Sequence, residues 1–127
     1  GGPVAAQLTS DVQPAVLVLE AAISSVRAML VERIPWAKFT PIPLFLRSKF
    51  DTLAHVANLT TPTLILHGDA DQTVSPDNSK RIYEALPSST TKTIEIVTDG
   101  DHNGLDLVDP ERYHHVLRSF LSDNDAL

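Results

Sequence analysis

Thr63-Leu64-Ile65-Leu66-His67-Gly68-Asp69-Ala70-Asp71-Gln72-Thr73-Val74 decides the fold. Pro62 introduces a short apolar run with the length and composition of a strand buried in a parallel sheet. The chain leaves it through a glycine and a cluster of polar turn formers. The run therefore delivers His67 and Asp71 at its carboxyl end, where open α/β sheets gather their functional groups. A second run, Thr93-Ile94-Glu95-Ile96-Val97, stops just before Asp99-Gly100-Asp101-His102-Asn103-Gly104. His102 thus stands at the corresponding end of another strand.

Working outward, Pro14 opens Ala15-Val16-Leu17-Val18-Leu19, a continuous apolar run that predicts a strand at 15–19 buried on both faces. Residues 3–10 read as a short helix ended by Thr9-Ser10-Asp11. From Ser24 to Ile34, apolar Val26, Met29, Leu30 and Ile34 alternate with charged Arg27, Glu32 and Arg33 at helical spacing. Pro35, Pro41 and Pro43 then break the chain, leaving 36–50 irregular and rich in large apolar residues. Residues 21–60 read as a connecting, lid-like segment. Ser75-Pro76 is a helix start, Ser as the capping residue and Pro at the first helical position, with Ile82, Tyr83 and Leu86 on one face and Pro87 as the stop. Asp109-Pro110-Glu111 repeats the start for a helix carrying Tyr113, Val116, Leu117, Phe120 and Leu121 on one stripe. The alternation predicts an α/β fold with about three parallel strands, near 15–19, 62–67 and 92–97, joined by right-handed crossovers and flanked by helices.

The chain has 127 residues, enough for one modest domain and short for a complete α/β enzyme. Ten Lys and Arg against 16 Asp and Glu, a net charge of −6, argue against a nucleic-acid or anionic-membrane partner. Without cysteine there is no disulfide, zinc-thiolate site or cysteine nucleophile, which is compatible with a reducing compartment. The longest apolar stretch, 15–23, is interrupted by Glu20 and is too short to span a membrane. Gly1-Gly2-Pro3-Val4 carries no signal-peptide pattern and reads as the continuation of something longer.

A carboxylate that accepts a hydrogen bond from imidazole Nδ1 fixes the ring's tautomer, so that Nε2 can take a proton from a nucleophile and return it to a leaving group. Asp71 and His102, acid before histidine, fit the hydrolase order Ser, Asp, His. Here the sequence resembles the α/β-hydrolases: residues 66–74 look like their HGxxDxxV element and residues 98–103 like their late histidine loop. Residues 18–27 and 46–53 are similar to connecting segments of the α/β-hydrolase-domain proteins that include depalmitoylases and lysophospholipase-like members. The resemblance covers nearly the whole chain and corresponds to the carboxyl-terminal part of that fold.

It implies a serine esterase or thioesterase that works through an acyl-enzyme on a small-molecule or lipid-like acyl substrate, with Asp71 and His102 catalytic and neither metal nor organic cofactor. In that register Gly1-Gly2 end a GxSxGG elbow whose serine lies two residues before Gly1, with both oxyanion donors also outside the chain. Ser10, Ser24, Ser25, Ser48 and Ser75 lie in no such context. The 127 residues alone are therefore expected to be inactive, and the first strand, an edge without its neighbour, to favour self-association.

Plainer roles compete for each residue. Asp69 is a turn aspartate, and Glu20, ending the first strand, is the alternative acid. His67 is a structural, hydrogen-bonded residue at a strand end. His55, His114 and His115 carry no ligand pattern, and Trp36 with the aromatics after it packs a core or lines an acyl pocket. Asp69-Ala70-Asp71-Gln72-Thr73 also reads as DxDxT, and Gly100-Asp101 with Asp106 as GDxxxxD. These look like motifs of haloacid-dehalogenase-type Mg²⁺-dependent phosphatases, with Asp69 as nucleophile and Asp71 as acid/base. The intervening His67-Gly68 and the short separation of the two motifs count against that alternative. A third reading is a non-catalytic fragment or interaction module.

Overall fold

The computed structural model describes residues 2–22, 33, 34, 36, 39 and 52–126. The expected helix at 24–34, the irregular 36–50 and most of the connecting segment lie outside the described residues. The elements run α1 (Gly2–Val12), β1 (Leu17–Glu20), α2 (Thr52–Val56), β2 (Thr63–Gly68), α3 (Asp77–Ala85), β3 (Lys92–Val97), α4 (Leu105–Val108) and α5 (Pro110–Asp123). The three strands form one parallel sheet in the order β1-β2-β3. That is the architecture the alternating pattern predicts.

β2 lies between the other two strands, and all six of its residues are buried. Leu17 pairs with Thr63, and Thr63 with Lys92, so the three strands start in step. Successive β2 side chains serve opposite faces. Ile65 joins Leu17, Leu19, Ala6, Val56, Ile82 and Leu86 in one core, beneath α1, α2 and α3. Leu64 and Leu66 join Val97, Leu105 and Phe120 in the other, beneath α4 and α5.

β1 differs from expectation. It begins at Leu17 rather than Ala15, and its burial alternates, with Leu17 and Leu19 buried and Val18 and Glu20 exposed. Leu17 and Leu19 pack in the core with Ala6 of α1. The opposite core is built mainly from β2, β3 and α5 and takes Val16 only at its margin, which leaves Val18 half-covered at best.

α1 also runs two residues past its expected end. The Thr9 hydroxyl donates to the Ala5 carbonyl at 2.7 Å, so a residue expected to break the helix is satisfied within it. The exit follows at Gln13, which takes a left-handed φ of 49°. α3 starts at Asp77, one residue after the expected position, with Pro76 already at helical angles and Ser75 Oγ accepting from Asp77 N at 3.3 Å. α5 starts as predicted, with Asp109 Oδ1 accepting from Arg112 N at 3.1 Å and Pro110 at the first position. The short helices α2 and α4 are additions that the sequence pattern did not single out.

Two glycines bring the ends of β2 and β3 together. A Cβ on Gly68 would lie 2.0 Å from the Gly100 carbonyl oxygen, and one on Gly100 would lie 3.0 Å from the Gly68 Cα and 2.6 Å from a Leu105 methyl. The contact is backbone on backbone, so no rotamer change relieves it. Gly68→Ala is expected to lower the unfolding free energy by about 3 kcal/mol or more. Gly104→Ala faces only side-chain atoms at 3.5 Å and beyond, at φ 74°, and should cost about 1 kcal/mol. Urea denaturation of both variants checks the order, and an unperturbed Gly68→Ala would contradict the close approach.

Candidate active site

The loops after β2 and β3 are tied to each other as well as to their strands. Asp69 N donates to the Val97 carbonyl at 3.1 Å, and Ala70 N to the Gly100 carbonyl at 2.9 Å. Asp69 Oδ1 accepts from Asp99 N at 2.7 Å, across the same junction. Asp99 has a left-handed φ of 60° there, a conformation aspartate tolerates better than most side chains. Asp69 is thus the exposed turn residue expected of it, with one carboxylate oxygen committed to a backbone amide.

Asp71 is buried and held from several directions. Its Oδ1 accepts from Thr73 N and Val74 N, both at 2.8 Å. Its Oδ2 lies 3.0 Å from Nδ1 of His102. The Asp71 side chain is fully covered, whereas that of His102 is 30% exposed, so the pair has a dry end and a wet end. His102 is set by its own loop, in which Asp101 Oδ1 accepts from His102 N at 2.7 Å and Gly104 turns the chain into α4.

Burial acts on the Asp71 carboxyl most strongly and by itself would raise its pKa. The hydrogen bonds from Val74 N–H, His102 and Thr73 N–H, with the attraction of the His102 charge, together outweigh it and leave the group below the usual carboxylate range. With Nδ1 facing the carboxylate, Nε2 is the ring nitrogen left to exchange a proton. A carboxylate in this place stabilises the imidazolium that results.

The other candidates separate from this pair. Glu20 Oε2 accepts from the Tyr113 hydroxyl at 3.0 Å, joining the end of β1 to α5. Burial first, then the hydrogen bond and charge of Glu20 and the charge of Asp106, hold that phenol above its ordinary range. Glu20 is thereby occupied at the sheet's edge, while Asp71 is the carboxylate that meets His102. His114 and His115 are exposed on α5, and His55 borders a separate cavity of about 140 Å³ with Thr9, Gln13, Asn58 and Thr61. That cavity lies near the entry to β2, away from the strand ends that carry Asp71 and His102. Among the described residues no group of three or more His, Cys, Asp or Glu side chains is placed to hold a metal ion. Nor is any described helix long and apolar enough to cross a membrane.

Two contacts went unforeseen. His67 is hydrogen-bonded at the strand end, as expected, to Ser79 Oγ and the Val74 carbonyl, yet it is also fully buried and its Nε2 lies 3.0 Å from Asp71 Oδ2. The signal was present as the four-residue spacing from His67 to Asp71, which a tight turn folds back on itself. Arg33, expected on the polar face of a helix, donates to the Gln72 carbonyl at 3.3 Å and to the Thr73 carbonyl, bracing the acid loop from the connecting segment. No sequence signal marks that contact.

Residues 42–107, just over half of the chain, match the family described as serine aminopeptidase, S33. The chain belongs to this family of α/β-hydrolases. An uncharacterized protein of Mycobacterium tuberculosis strain H37Rv is 26% identical over all 127 residues, which span 43% of its length. Among solved structures, an esterase from Pyrococcus furiosus superposes with a TM-score of 0.73 at 18% identity, over 97% of this chain and 50% of the esterase. An esterase from Rhodococcus superposes with a TM-score of 0.68 at 20% identity, over 96% of this chain and 62% of its own. These likenesses establish the fold, and the chain covers part of an α/β-hydrolase, as the resemblance implied.

The lowered pKa of Asp71 makes this group's contribution to stability depend on pH. Because the folded value lies below the unfolded one, the contribution is fully present above the unfolded carboxylate range, about pH 5 and higher. It is lost as pH falls through the folded value. Asp71→Asn should therefore be less stable than the parent chain at pH 7, with the gap narrowing steadily below pH ~4. Urea midpoints of the two chains across that range test it, and a pH-independent gap would contradict it.

Proposed function

We propose that the parent protein is a serine hydrolase that cleaves carboxylic ester or thioester bonds through an acyl-enzyme. His102 acts as general base and then general acid, and Asp71 holds its tautomer and balances its charge. The observation that carries this reading is the 3.0 Å contact between His102 Nδ1 and a buried, backbone-anchored Asp71 carboxylate. Membership of the hydrolase family supports it independently.

The chemistry follows from the order of events. The serine hydroxyl gives its proton to His102 Nε2 as the oxygen attacks the acyl carbon. The same proton then passes to the departing alcohol or thiol. In the second half, water repeats the attack and His102 returns the proton to serine. Asp71 remains ionised throughout and stabilises the imidazolium in both halves. In this reading these 127 residues supply the acid and the base, and the nucleophile and oxyanion donors come from the rest of the parent protein. An acyl substrate with an apolar chain is the class this reading favours.

Two measurements test the reading together. The 127-residue chain should give no serine labelling with a fluorophosphonate probe. A parent chain extended to the length of its curated relatives should be labelled and should hydrolyse p-nitrophenyl esters, with kcat falling about 10³-fold or more in Asp71→Asn and His102→Ala. Labelling of the short chain would overturn the assignment of the nucleophile. An extended Asp71→Asn enzyme with unchanged kcat would overturn the assignment of the acid.

A further inference from the structure

Arg33 belongs to the stretch that joins β1 to α2, and it is exposed. Its Nη2 donates to the Gln72 carbonyl at 3.3 Å and to the Thr73 carbonyl. A carbonyl and the N–H of the next residue belong to one planar peptide group and, in a trans peptide, point in opposite directions. The Gln72 carbonyl is therefore the far side of the Thr73 N–H, and the Thr73 carbonyl the far side of the Val74 N–H. Those are the two amides that donate to Asp71 Oδ1, both at 2.8 Å. The same two peptide groups are thus bonded on one side to the guanidinium of Arg33 and on the other to the carboxylate of Asp71.

Two effects follow. A hydrogen bond accepted by a peptide oxygen polarises the group and strengthens the bond that its N–H donates. The second effect is geometric. Nη2 holds its hydrogens in the fixed plane of the guanidinium, so one nitrogen sets the direction of two consecutive peptide groups. With both amides aimed, Asp71 Oδ1 is held in place and Oδ2 is left facing His102 Nδ1 at 3.0 Å. Among the described residues Arg33 pairs with no carboxylate, and the two carbonyls of this turn are the acceptors it meets.

We propose that Arg33 is a positioning residue for the acid: by gripping the outer side of these two peptide groups it fixes the turn that aims Asp71 at His102. The role rests on the reading of Asp71 and His102 as orienting acid and base. It makes a residue from the stretch between β1 and α2 part of the acid's support, although that residue touches neither member of the pair. A surface arginine that only shielded the loop from water would leave the Thr73 and Val74 amides as they are, and any long side chain would replace it. Because a single nitrogen serves both carbonyls, an ammonium group at the same place can take over the task, whereas a thioether cannot.

The test pairs amide NMR of the 127-residue chain with turnover of the extended parent chain. In Arg33→Met, which keeps a long stem and loses the donors, the Thr73 and Val74 amide protons should shift and exchange with solvent about threefold faster or more. The His102 Nδ1 proton should shift in the same spectra. Arg33→Lys should recover most of both changes. Arg33 is exposed, so its replacement opens no cavity, and unchanged β2 amides report a folded chain. In the extended enzyme kcat should fall about fivefold or more in Arg33→Met with KM little changed, and Arg33→Lys should restore it. Unmoved Thr73 and Val74 amides in Arg33→Met, or equal losses in Arg33→Met and Arg33→Lys, would overturn the proposal. Asp71→Asn, run beside them, separates the two readings. If it loses kcat and Arg33→Met does not, the acid stands and the positioning role falls. If neither variant alters kcat, the hydrolase roles fall and take the positioning role with them.

Discussion

One ionised carboxylate, buried at the end of the central strand, is the constraint on which the candidate site depends. A charge taken out of water is stabilised only when its oxygens are fully hydrogen-bonded. Asp71 meets that condition through the two amides of its own turn and the His102 ring. These partners come from two pieces of chain, the turn after β2 and the loop after β3. Satisfying the charge therefore fixes how those pieces meet, and an imidazole held at Nδ1 is one consequence. Removing any single donor leaves a buried oxygen short of a partner, which ties stability and site geometry to the same bonds.

The strand ends can meet this way because glycine stands at both points of closest approach. Gly68 and Gly100 let the two backbones touch, and the amides around them cross between loops, from Asp69 to Val97, Ala70 to Gly100 and Asp99 to Asp69. The two small cores on either side of β2 then hold the strands in register beneath the site. The proposed acid and base meet in a loop junction whose geometry is set by backbone contact rather than by long side chains.

Much of this was legible in the residues themselves. The apolar runs at 63–67 and 93–97, with prolines and polar turns around them, read directly as parallel strands, of which only the first is buried throughout, and the Asp109-Pro110 start of the last helix was unambiguous. His-Gly-x-x-Asp followed by a late histidine pointed to one pair of side chains, and those two residues are in contact. What the residues could not convey was partnership. The run at 15–19 looks buried on both faces because its residues are apolar, yet burial is decided by what lies against it, and only one face of β1 is well covered. Likewise, the reach of His67 to Asp71 depends on the path of the turn, and the bracing of that turn by Arg33 depends on a residue some forty positions away.

The roles proposed for the pair require that Asp71 set the tautomer of His102. The most direct measurement is the ¹⁵N spectrum of the His102 side chain in the folded protein near neutral pH, compared with Asp71→Asn. The unmutated chain should show a protonated Nδ1 and an unprotonated Nε2, with that preference lost in the variant. A His102 protonated at Nε2 with Nδ1 bare, or one whose tautomer is indifferent to residue 71, would contradict it.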